Sequence, residues 1–78
     1  MKHKMTKEAL RAYLEKIFPL EKLLISRHDD KLNEFVAWGT LANRDSDGTG
    51  IADRVLIAGK TFYGRAASID YLVDHASV

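Results

Sequence analysis

Asp45, Asp47 and Thr49 set oxygen-bearing side chains at alternate positions, and Gly50 follows at the sixth place counted from Asp45. Alternating oxygens and a glycine turn are what a hard cation such as calcium wants. The twelfth place, however, is Leu56, where a bidentate carboxylate belongs, and the eighth is Ala52. The segment is therefore expected to be a loop without a metal ion. His3, His28 and His75 lack the spacing of a metal site. No serine lies in a nucleophile-elbow context, and no glycine-rich phosphate loop occurs. His75 and Ser77 are near neighbours, which builds no triad. The chain is not expected to be an enzyme or to hold a cofactor. What remains is recognition chemistry: guanidinium, ammonium, amide and carboxylate groups that could meet a polymer or a protein.

The composition limits the partners. The 78 residues include 46% hydrophobic residues and no cysteine. That length allows one domain, residues 1–78, with residues 1–5 as a frayed basic start. The lack of cysteine removes disulfides and thiolate zinc sites and fits a cytoplasmic location. No apolar run approaches the ~18–20 residues that span a membrane. The net charge is +1, but its layout is uneven. Residues 1–27 carry seven cations against three carboxylates, residues 28–53 two against six, and residues 54–78 three against two. Basic ends of this kind can face a polyanion, and the acidic middle can face a basic surface.

These groups must be positioned by elements that the pattern predicts. Val55 and Ile57 alternate on a strand, Gly59-Lys60 reads as a type II′ turn, and Thr61-Phe62-Tyr63 favours the return strand. Ile69, Leu72, Val73 and Ala76 then follow helical spacing. Thr6 is a fitting N-cap for a helix over 6–17, whose stripe is Leu10, Leu14, Ile17 and Phe18. Asn43–Asp53 reads as a loop. Trp38, Phe62 and Tyr63 could stack on bases, though aromatics of so small a domain usually fill its core.

Residues 19–41 support two readings. In the helical one, Leu20, Leu23 and Leu24 make a short helix and Ile25-Ser26-Arg27 a turn. Ser26 then caps a second helix, which buries Leu32, Phe35 and Val36 and ends at Gly39. In the extended one, Lys22–Arg27 and Leu32–Leu41 are strands around a turn at His28–Lys31. The fold class is α+β. The first reading gives a small winged helix-turn-helix with a C-terminal β-hairpin and helix. The second gives an α-β-β-β-α chain, a three-stranded antiparallel sheet with two helices.

The stretch from Val55 through Gly59-Lys60, Phe62, Arg65, Ser68, Ile69-Asp70 and Leu72-Val73 resembles the wing and following helix of small phage excisionases and prophage AlpA-type regulators. Leu32–Leu41 is similar to their recognition helix, and Ile25-Ser26-Arg27 to the turn before it. The likeness covers about residues 20–75. It implies a MerR-like winged helix-turn-helix and a DNA-binding function that assists recombination or tunes transcription. Double-stranded DNA would be the partner, with a recombinase or other protein beside it. Arg27, Lys31 and Asn33 would face the groove, since Arg suits guanine and Asn suits adenine. Lys60 at the hairpin tip and Arg65 after it would contact phosphate or the minor groove.

A different class fits the acidic middle. A small phage-type interaction module or inhibitor would bind a basic partner through Asp29, Asp30, Glu34, Asp45, Asp47 and Asp53.

Overall fold

A computed structural model describes residues 5–77. The frayed start expected at 1–5 lies outside these residues except for Met5. Among them the chain forms four helices and a three-stranded antiparallel sheet, an α+β fold. The order is α1 (Lys7–Ile17), β1 (Leu24–Ser26), α2 (Asp30–Asn33), α3 (Trp38–Asp47), β2 (Arg54–Ile57), β3 (Lys60–Gly64) and α4 (Arg65–Asp74).

Helix α1 begins where its cap predicts. The Thr6 hydroxyl accepts from the Ala9 N–H at 3.0 Å, filling one of the free donors of the first turn. Leu14 and Phe18 are buried, and Leu10 and Ile17 pack against the core. Pro19 follows the C-cap residue Phe18. It cannot continue a helical hydrogen-bond ladder.

Residues 19–41 follow neither reading whole. Leu24–Ser26 is a strand rather than part of a helix, as the extended reading expects. Leu32–Leu41 contains no strand: it holds the end of α2, a turn and the start of α3. Asp29, not Ser26, caps the helix, its Oδ1 accepting from the N–H groups of Lys31 and Leu32. Ser26 instead turns the chain, its Oγ accepting from the His28 N–H at 3.1 Å. Helix α2 closes after one turn. Gly39 does not end a helix; it lies in the first turn of α3. The segment Asn43–Asp53 is loop only from Gly48 onward, because α3 continues through Asp47 and stops at Gly48 with φ +82°. A left-handed residue at that place satisfies the last carbonyls at no Cβ cost.

Strand β3 is central, flanked by β1 and β2. The hairpin turn sits one residue earlier than Gly59-Lys60. Ile57 pairs with Lys60, and Ala58-Gly59 makes the turn with φ +52° and +81°. Two positive φ values are those of a type I′ turn, not II′, and match the twist of the strands. Register assigns the faces. Ile25, Tyr63 and Arg54 share one face, and Ile25 and Tyr63 are buried there. Phe62, Val55 and Ser26 share the other.

Helix α4 starts directly at the end of β3. The Arg65 N–H donates to the Leu23 carbonyl at 2.8 Å. The buried Ser68 hydroxyl returns to the Gly64 carbonyl at 2.9 Å. Ile69, Tyr71 and Val73 enter the core with Leu14, Phe18, Ile25, Leu32, Leu41, Ile51 and Tyr63. Ala76 lies beyond the helix.

Candidate nucleic-acid interface

The five cationic and amide residues expected at DNA separate into two groups. Arg27, Asn33 and Arg65 are engaged inside the fold. Arg27 donates from Nε to Tyr63 Oη at 3.0 Å and from a terminal nitrogen to Asp45 Oδ2 at 2.7 Å. The Tyr63 hydroxyl donates to the same carboxylate oxygen at 2.5 Å. Tyr63 is fully buried, and 5% of the Asp45 side chain is exposed. A buried charge pair is tolerable when its lone pairs and protons are met, and this one also takes Arg54 at 3.6 Å. The cluster ties the end of β1, the middle of β3 and the last turn of α3 together. It sets how α3 sits against the sheet. Burial pushes the Tyr63 phenol above its ordinary range, and the Asp45 carboxylate pushes it the same way.

Asn33 donates its amide to the carbonyls of Arg27 and Val36, at 3.0 and 3.1 Å. It closes the turn on both sides of α2. Arg65 donates from Nε to the Phe18 carbonyl and from a terminal nitrogen to the Glu15 carbonyl, each at 2.9 Å. Those are free C-terminal carbonyls of α1, so the guanidinium acts as a cap for a helix far away in sequence.

Lys31 and Lys60 are exposed and form no ion pair among the described residues. Lys60 follows the hairpin turn. There Gly59, Lys60 and Thr61 border a shallow depression of about 370 Å³ together with Ser26, Arg27 and His28. The His28 ring packs against Trp38, with centroids 4.9 Å apart and the planes tilted by 44°. Trp38 opens α3 and is 53% exposed. The hairpin tip, the turn before α2 and the start of α3 are thus neighbours. At 100° per residue, Gly39, Asn43 and Ser46 lie opposite the buried Leu41, on the outer side of α3. His28 and Asn43 were not among the sequence candidates, and Trp38 was named there only as able to stack on bases. A helix drawn to end at Gly39 leaves no helix for Asn43 to stand on.

The acidic set is also divided. Asp29 caps α2 and pairs with Lys22 at 3.2 Å. Burial pushes its carboxyl up, but the Leu32 N–H, the Lys22 ammonium and the Lys31 N–H outweigh this and hold it below the usual range. Asp45 belongs to the buried cluster. Asp47 accepts from the Thr49 N–H and hydroxyl, which hold its carboxyl low. The Asp53 carboxylate lies against Gly64, where a Cβ would overlap it. Asp30 and Glu34 are exposed. No group of three or more metal-ligating side chains gathers among the described residues. No helix of the described residues is long and apolar enough to cross a membrane.

No protein-family model, curated protein or solved structure matches the chain.

Proposed function

We propose that this chain is a small DNA-binding protein of the winged helix-turn-helix kind, acting as an excisionase or prophage regulator does, beside a recombinase or at a promoter. One observation carries this reading. Two helices joined by a four-residue turn are followed by a β-hairpin whose tip borders the turn before the first helix, where the His28 ring meets Trp38 at the start of the second. In this arrangement α2 and α3 are the helix-turn-helix and the hairpin is the wing. Helix α3 enters the major groove, where Asn43 can meet an adenine edge. Trp38 and His28 stand at its N-terminal end. Lys31 and Lys60 meet phosphates on either side.

The cations are few, so binding is expected to be weak, with a shallow salt slope of about one unit per phosphate contact. Non-specific dissociation constants of ~10⁻⁴–10⁻⁶ M are the expected range. The chain has one tryptophan, so duplex binding should change the fluorescence of Trp38. Lys60→Ala and Lys31→Ala should each weaken binding to all sequences and lower the salt slope by about one unit. Asn43→Ala should instead relax preference at one base pair, at a cost of ~1–3 kcal/mol against the cognate site. Neither a gel shift nor a fluorescence change with random duplex at low salt and high protein concentration would end this reading.

A protein contact is the second reading. Val55 and Ile57 on the edge strand are 39% and 47% exposed, and Leu24 across the same sheet face is 40% exposed. An apolar edge is a place where another chain can add.

A further inference from the structure

Between α1, α3 and α4 runs an apolar groove that the proposed DNA contact does not use. Its volume is about 490 Å³, within the ~300–1,000 Å³ of small-ligand sites. Leu10 and Leu14 of α1, Phe35 before α3 and Leu72 of α4 form its walls. Thr40 and Arg44, one turn apart on α3, add a hydroxyl and a guanidinium. No carboxylate lines it. Among the described residues the Arg44 side chain makes no ion pair, whereas the guanidinia of Arg11, Arg27 and Arg54 each do. The His75 ring packs against Tyr71, with centroids 4.1 Å apart and the planes tilted by 31°, and its Nδ1 lies 2.9 Å from the Tyr71 carbonyl. That contact fixes the ring as a wall.

We infer that this groove binds a small apolar carboxylic acid, with the hydrocarbon along Leu10, Leu14, Phe35 and Leu72 and the carboxylate on the Arg44 guanidinium. The physical reason is complementarity. Arg44 acts on Asp47 without a direct ion pair, and an apolar trough with one such guanidinium and no acid in its lining favours a ligand with an apolar body and one negative charge. A guanidinium takes a carboxylate through two parallel hydrogen bonds. The groove wall on α3 makes the ligand a neighbour of the proposed reading helix, yet its binding does not depend on the DNA reading.

Decanoate is the probe, titrated into the whole protein below its micelle concentration and followed by amide chemical shifts. The expected result is saturable binding with shifts confined to residues of α1, α3, α4 and the turn at Phe35. Arg44→Gln should weaken decanoate about tenfold, the loss of one charge-assisted contact, and should leave decanol unchanged. Phe35→Ala alters a residue already 43% exposed, so the fold should persist while both ligands bind more weakly. Shifts spread over the whole chain, no saturation, or equal binding of decanoate by the Arg44→Gln protein would overturn the assignment. These outcomes are independent of any gel shift with DNA.

Discussion

Asp45 is the carboxylate at the centre of the buried cluster, with 5% of its side chain exposed. Arg27 and Tyr63 both donate to its Oδ2, and Arg54 approaches Oδ1. Removing one member of such a cluster leaves the others desolvated and unpaired, which is why the loss exceeds the worth of the contact itself. Asp45→Ala is therefore expected to cost about 3 kcal/mol in denaturant unfolding, and Tyr63→Phe about 1–2 kcal/mol. A double-mutant cycle between the two positions should show coupling, because they share one oxygen. The same residues predict a pH dependence. The Tyr63 phenol titrates higher when folded than when unfolded. Its contribution is complete below the unfolded value of about 10 and is lost as pH rises through the folded one. The wild-type protein should lose stability above about pH 10, and Tyr63→Phe should remove part of that slope. Asp29 has the opposite sign. Its carboxyl is held low in the fold, so its contribution stands above about pH 4 and falls away as pH drops through the folded value. Asp29→Asn should flatten the acid limb of the stability curve.

At the scale of elements, the hairpin turn is the least comfortable joint. Ala58 holds φ +52° and Gly59 φ +81°. Alanine does not favour that region, and a β-branched residue resists it strongly. Ala58→Gly should raise stability by roughly 0.5–1 kcal/mol, and Gly59→Val should lower it by about 1 kcal/mol or more. Both are read from thermal or denaturant midpoints. A Gly59→Val protein with an unchanged midpoint would mean that the turn does not hold these angles. Helix α1 is joined to the remainder by a different device. Arg65 holds its last carbonyls from the start of α4, while the Arg11–Asp70 pair links the same two helices at 2.6 Å. The latter pair is half-exposed and contributes little. Arg65→Ala should therefore destabilise by about 1–3 kcal/mol, whereas Arg11→Ala should change stability by under 1 kcal/mol. Lys60→Ala separates the roles of the two cations. It should leave the unfolding midpoint in place and weaken duplex binding, where Arg65→Ala moves the midpoint first.

For the whole molecule, the division between legible and hidden follows the range of the interactions. Helix α1, the hairpin and α4 were readable, because the Thr6 cap, the Gly59 turn and the Ile69-Val73 spacing act within a few residues. The buried stripe of Leu14, Phe18, Ile69 and Val73 followed from those local periods. The middle of the chain was not readable in the same way. Leu24–Ser26 is too short to show a period, and it becomes a strand because β3 offers it an edge. Asn43, Asp45 and Asp47 look like loop residues, since polar side chains of this kind compete for backbone hydrogen bonds. Yet α3 runs through them because Arg27 and Tyr63 engage Asp45 from elsewhere. The basic and acidic sets were equally recognisable as chemistry and equally undivided. Only the fold turned Arg27, Asn33, Arg65, Asp29 and Asp45 inward and left Lys31, Lys60, Asp30 and Glu34 in water. The sequence by itself determined which segments could be helix or hairpin, through contacts local enough to leave a period. The tertiary structure decided which charges remain free to meet a partner, because that depends on contacts such as Arg27 with the Asp45 carboxylate and Arg65 with the Glu15 backbone carbonyl that no short-range pattern records.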